Sequence, residues 1–335
     1  MPINSTHSPL PETISGNRTT IHSLSILRGI AALMVCFFHV KKYIWRNEHP
    51  HSWTEWCEQG FMGVYIFFVI SGFVIPYALH HGNYSPGKFK KFLMKRTLRI
   101  EPPYIIFLLL LFIWNYSLFH WKHIGTPILF DLKKFILNIT YLAPFTGEKW
   151  ILIIFWTLAI EFQFYLLMGF IYPLLLKNSL SRYLTSAIIL SLGLIVPEKY
   201  LTIFNVYVFF FIGFQTFLHY CKRINLREYL ITMFAALAFI WVWELNTIIP
   251  YVLFTVLGIY FLNYSTIVGD YLGKISYSLY LTHGLAGGAF AILTAGSFTA
   301  EIRFAGAIIT SLLFAGIFYK LIEQPFLKWS KRIRY

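Results

Sequence analysis

The sequence predicts an all-α protein, a polytopic transmembrane helical bundle of about ten spans with both termini cytoplasmic. Three observations carry that expectation. The chain is 57% hydrophobic and only 13% charged, whereas a soluble domain is about half apolar and a quarter charged. Apolar stretches of about 20 residues, the length a helix needs to cross a bilayer, recur along nearly the whole chain. The positive residues gather in alternate loops, the charge pattern of a multi-pass membrane protein. A formal charge of +14 could suit nucleic acid, but this distribution argues against that partner and for the lipid bilayer.

Taken in order, residues 1–22 are polar with scattered Ser and Thr, and read as a mobile cytoplasmic tail. No basic stretch precedes an apolar core there, so a signal peptide is not expected. A single membrane domain follows over 23–325, and 326–335 reads as a basic cytoplasmic tail. Within the domain, helices are expected at 24–45, 61–80, 102–120, 150–176, 183–197, 204–220, 229–245, 248–263, 275–295 and 302–322, the fifth and eighth being short. Ten spans place both termini on one side. The tails and loops of that side hold 17 of the 28 Lys and Arg residues, against 9 on the other. The richer side is the cytoplasm, although Lys41, Lys42, Lys133 and Lys134 blur the contrast. In the longest outer loop, 121–149, Ile128, Leu129, Leu132, Phe135, Ile136 and Ile139 recur at helical spacing beside charged residues. They suggest an amphipathic helix on the outer interface or, equally, a short re-entrant piece of ordinary packing. Cys36, Cys57 and Cys221 have no metal-ligand spacing, and neither a metal site nor a disulfide framework is expected.

An ionisable side chain at mid-membrane costs on the order of 3 kcal/mol and usually faces a cavity or a partner. Four stand in the expected spans: Arg28 and His39 in the first, Glu161 in the fourth and His283 in the ninth. Arg28 and His39 are eleven residues apart, which puts them on one helix face about 16 Å apart along the axis. His39, Glu161 and His283 fall at similar depth, as members of one buried polar centre would. Each histidine could also be a neutral ring hydrogen-bonded to a neighbouring helix. A lone buried carboxylate needs a proton, a cation or a donor, so Glu161 is the hardest to explain as packing. In the basic loop KFKKFLMKRTLRIEPPY, Arg96 and Arg99 share a face at i, i+3. Such residues commonly anchor to anionic lipid; beside a polar cavity, two guanidinium forks also suit phosphate oxygens. Ser71 in VISGF has no base at a fixed spacing and reads as a small packing residue.

Six segments in this order resemble the acyltransferase-3 family of bacterial membrane acyltransferases. They are LSILRGIAALMVCFFHV, GVYIFFVISGFVI, KRTLRIEPPY, WTLAIEFQFYLL, ISYSLYLTH and EQPF, and the resemblance spans about residues 22–325. It implies an enzyme of the bacterial inner membrane that moves an acyl group, most often acetyl, from cytoplasmic acyl-coenzyme A. The acceptor is a hydroxyl of a carbohydrate such as O-antigen in lipopolysaccharide, or exopolysaccharide. Acetyl-CoA enters as co-substrate, not as a resident cofactor. Arg28 and His39 match the motif tied to catalysis, and Arg96 and Arg99 the pair tied to handling the donor. Glu161 joins the catalytic candidates as a group that orients His39 or binds sugar. His283 and Tyr280, in ISYSLYLTH, are candidates for substrate binding. The resemblance is to relatives without a fused periplasmic hydrolase-like domain, so the chain either completes transfer itself or passes the group to a separate periplasmic partner. The rival reading is a transporter or flippase of a polyprenyl-linked sugar, which buried charges also fit. A noncatalytic receptor or assembly subunit would leave the buried His and Glu unexplained.

Overall fold

A computed structural model describes residues 21–45, 52–122, 130–200, 202–243, 245–262 and 264–334. Among them every regular element is helical: α1 (His22–Ile44), α2 (Gly63–His81), α3 (Phe89–Lys122), α4 (Leu132–Ile139), α5 (Phe155–Lys177), α6 (Ser179–Ile195), α7 (Ile203–Tyr220), α8 (Leu226–Val242), α9 (Ile249–Phe261), α10 (Ile267–Leu293), α11 (Ala300–Phe318) and α12 (Gln324–Arg332). Each of the ten expected positions holds a helix. Six segments, those of α1, α2, α3, α5, α7 and α11, are long and apolar enough to cross a membrane, while α6 and α9 are apolar but shorter. Large apolar side chains such as Ile188, Phe234 and Leu313 are 62%, 76% and 66% exposed, which suits contact with lipid better than contact with water.

Three boundaries differ from the expectation. The third helix begins at Phe89 instead of 102, because the Lys, Leu, Met and Arg of the basic segment are good helix formers and continue the span outward. Pro102 and Pro103 therefore lie inside α3, where they have no N–H for the carbonyls of Leu98 and Arg99. A bundle tolerates this where neighbours take up freed groups; the Tyr277 hydroxyl donates to the adjacent Ile100 carbonyl at 2.8 Å. Helix α10 starts at Ile267, not 275, with the Thr266 side chain capping the Gly269 N–H at 3.0 Å. The segment after the last span is also ordered: α11 passes through a π turn, Tyr319–Glu323, into α12.

The interfacial helix of the long outer loop is α4. Asp131 caps it by accepting from the Lys134 N–H at 3.1 Å. Leu132 and Ile136 are exposed while Phe135 and Ile139 pack on the core. Ile128 and Leu129, the other two members of that apolar face, lie outside the described residues, as do residues 1–20 of the N-terminal tail.

Two backbone-to-backbone crossings fix the middle of the bundle. Helix α2 meets α7 at Gly72 and Gly213, where an added Cβ would stand 2.2 Å from the Phe210 carbonyl oxygen and 2.0 Å from that of Val69. Helix α1 meets α10 at Gly29 and Gly273, with Cβ positions 2.7 Å from Leu272 Cβ and 2.5 Å from the Ser25 carbonyl oxygen. Small residues of this kind let membrane helices approach closely. Aromatic rings fill the space beside the first crossing, Phe210 packing on Phe68 and Phe164 with centroids 4.9 and 4.2 Å away. The result holds α1, α2, α3, α5 and α10 around one internal space.

Candidate active site

That space is a cavity with an empty volume of about 830 Å³. Arg28 reaches it from α1, Ser71 from α2, Arg96 and Arg99 from α3, Thr157, Glu161 and Tyr165 from α5, and Tyr277 and Tyr280 from α10. Arg96 is only 7% exposed. Its guanidinium lies over the rings of Phe92 and Tyr165, 5.8 and 5.7 Å from their centroids, within cation–π range. Its Nε has no hydrogen-bond partner. Among the described residues, none of Arg28, Arg96 and Arg99 forms an ion pair with a carboxylate. Glu161 accepts from the Tyr165 hydroxyl, one turn further along α5. Arg28 feels Arg99, Glu323 and Glu161 electrostatically, so the wall carries more positive than negative charge. Buried cations without a fixed partner make a site suited to an anion.

Eleven residues along α1 from Arg28, His39 faces a second, outer pocket with Lys41, Lys42, Tyr43, Trp45 and Glu58. Lys41 is paired with Glu58 at 2.6 Å; Lys42 lies 4.0 Å over the Phe38 ring. The His39 ring is 4.9 Å, centroid to centroid, from that of His283 on α10. Each histidine bonds the carbonyl four residues back through Nδ1, His39 to Val35 and His283 to Leu279, both at 3.0 Å. A carbonyl oxygen can only accept, so the proton of each ring sits on Nδ1 and Nε2 carries the lone pair. His283 is fully buried and its Nε2 has no partner. The ring of Tyr280, on the cavity wall, is 6.2 Å from that of His283, and its hydroxyl is 2.6 Å from Thr157 Oγ1. The histidine pair thus stands between the outer pocket and the arginine-lined cavity.

The candidate residues fall into two groups instead of one polar centre. His39 meets His283 as equal depth suggests, but Glu161 belongs with the arginines and its side-chain hydrogen bond is to Tyr165. Depth along the membrane says nothing about direction around a helix axis, which is why the three seemed to converge. Ser71, read as a packing residue, lines the cavity, and the glycine beside it makes the crossing.

Two residues escaped the sequence reading. Tyr165 stands four residues after Glu161, and that spacing is the signal for their contact. Glu323, in EQPF, is 2% exposed. It accepts from the Ser278 hydroxyl at 2.6 Å and the Ser278 N–H at 3.2 Å and lies within electrostatic range of Arg99 and Arg28. Its place just past the expected last span hid it.

Known proteins share this plan. An "Acyltransferase domain" family matches residues 21–320. A protein of Staphylococcus aureus strain COL named "Putative O-acetyltransferase" is 25% identical over 379 residues, covering 92% of this chain and 57% of its own length. A protein of the same name from strain MSSA476 is 25% identical over 373 residues, 90% of this chain and 56% of its own. "O-acetyltransferase OatA" of strain NCTC 8325 is 27% identical over 198 residues, 55% of this chain and 30% of its own. The chain thus spans little more than half the length of the first two relatives. No solved structure matches it. With the family's domain covering all but the two ends of the sequence, the chain belongs to the acyltransferase-3 family.

Proposed function

We propose that the protein is an O-acyltransferase of the bacterial inner membrane that moves acetyl from cytoplasmic acetyl-CoA to a hydroxyl of an envelope carbohydrate, O-antigen or exopolysaccharide being the leading acceptors. The observation that carries this reading is the cavity in which Arg28, Arg96 and Arg99 have no carboxylate in ion-pair reach. Coenzyme A is a polyanion, and bidentate guanidinium contacts match its phosphate oxygens. The cavity's aromatic and aliphatic wall suits the pantetheine arm, whose extended reach matches the axial rise of about 16 Å from Arg28 to His39.

In this arrangement the bundle crosses the bilayer ten times with both termini cytoplasmic, and the basic start of α3 faces the coenzyme. His39, at the outer pocket, takes the proton from the acceptor hydroxyl as that oxygen attacks the thioester carbonyl. Its Nε2 lone pair is available because Nδ1–H is engaged with Val35. Glu161 holds Tyr165 against the cavity and balances part of the arginine charge. Tyr280 and His283 close the wall where the acyl group arrives. The names of the Staphylococcus aureus relatives support acetyl as the group transferred.

The experiment is to feed inverted membrane vesicles from cells expressing the chain with radiolabelled acetyl-CoA. Label in the lumenal glycan, absent from vesicles lacking the chain, is the expected result. Transport of a sugar with no acetyl incorporated would replace this reading with the flippase alternative.

A further inference from the structure

The pair His39–His283 has a consequence for charge balance that rests on the acyl-transfer reading. When acetyl passes from a cytoplasmic thioester to an outer hydroxyl, the acceptor O–H and the donor C–S bonds break and an ester C–O bond forms. One proton is freed on the outer side and one thiolate is left on the inner side. If that proton escaped to the outer solution and the thiolate drew another from the cytoplasm, each turnover would carry one positive charge outward. That transfer works against the potential of an energised membrane.

We propose that His283 is the second base of an internal proton path, returning the acceptor's proton to the departing thiolate so that transfer is electroneutral. Three features carry it. The two rings are 4.9 Å apart between centroids. Both Nδ1–H groups are bound to main-chain carbonyls, so each ring can take up and release a proton only at Nε2. The Nε2 of His283 is buried and unpartnered, although a buried polar atom is normally satisfied. The position completes the case. His39 opens to the outer pocket, and His283 stands next to Tyr280 on the wall of the donor cavity. His39 Nε2 takes the proton as the O–C bond forms, passes it to His283 Nε2, and His283 delivers it to the sulfur as the C–S bond breaks. Both rings end neutral, and no proton is exchanged with either solution.

The test counts protons. Inverted vesicles carrying the full chain, with their own envelope glycan as acceptor and a trapped pH dye, receive radiolabelled acetyl-CoA outside. The wild type should incorporate label with no lumenal acidification. Its rate should stay within twofold when a potassium–valinomycin gradient polarises the membrane. His283→Ala should slow incorporation at least 100-fold, the low end of what a positioned acid–base group contributes, and added imidazole should restore at least 10-fold of it. Incorporation accompanied by one lumenal proton per acetyl overturns the proposal, as does a His283→Ala rate equal to wild type. A loss that imidazole does not repair assigns His283 to packing and also overturns it. Should the variant fail to accumulate, the wild-type proton count still decides. No incorporation by the wild type overturns the acyl-transfer reading itself, which separates the two failures.

Discussion

Replacing Arg96 by Met separates a ligand-binding arginine from a structural one. Met keeps the length of the stem and removes the guanidinium. In the empty protein that group is 7% exposed, has a bare Nε and makes no ion pair. Removing it strands no carboxylate, and a buried unpaired charge is itself a cost. The two cation–π contacts to Phe92 and Tyr165 contribute about 0.5–1 kcal/mol each, which that cost offsets. The thermal midpoint in detergent without donor should therefore be unchanged or raised. With donor the balance reverses. Losing even one charge-assisted bond to a phosphate forfeits about 1.5–3 kcal/mol. At about 1.4 kcal/mol per tenfold, the affinity for coenzyme A should fall by roughly 10- to 150-fold. Saturating coenzyme A raises the midpoint in proportion to ln(1 + [L]/Kd), so the wild type should gain stability from it and Arg96→Met little or none. A midpoint several degrees lower without ligand, with the coenzyme A response intact, would refute the reasoning and make Arg96 a structural residue.

Further outcomes follow from the same geometry. His39→Ala should abolish acetyl incorporation while membrane levels stay near normal, because the ring's side-chain hydrogen bond is to its own helix; activity within a few-fold of wild type would remove it as the base. Glu323→Ala should destabilise the protein by about 1–3 kcal/mol by stranding the buried Ser278 donors, and Glu323→Gln should recover most of that, since an amide oxygen still accepts; equal loss for both in thermal melts would discount the hydrogen bonds. In a background lacking Cys36, Cys57 and Cys221, an impermeant thiol reagent on intact cells should label Gly125→Cys and spare Gly87→Cys, and the opposite pattern would invert the proposed topology.

The sequence showed the helices because apolar length is a one-dimensional property, read directly from the chain. It showed Arg28 and His39 on one face because a helix converts spacing into angle, and Arg96 with Arg99 for the same reason. What it did not show was which face of α5 turns toward which neighbour. Glu161 was therefore expected beside His39 but lies with the arginines. Pairing between helices depends on contacts far apart in the chain, such as Gly72 with the Phe210 carbonyl, which no local pattern encodes. The start of α3 was missed for a different reason. A window tuned to apolar length stops at Lys and Arg, although both are good helix formers.

The π turn over Tyr319–Glu323 acts as a one-residue shim. A π turn takes i→i+5 bonds where an α-helix takes i→i+4, so the chain carries one residue more than a straight helix over that length would need. At 3.6 residues per turn, that extra residue advances everything beyond it by about 100°. Glu323 is delivered to Ser278 and α12 is set against α3 only because of the offset. Deleting a single residue inside the turn, Lys320 for example, would heal the helix and at the same time swing the carboxylate away from Ser278 and the arginines. At this point of the fold, the spacing of the chain and not the identity of one side chain keeps a counter-charge beside Arg28 and Arg99.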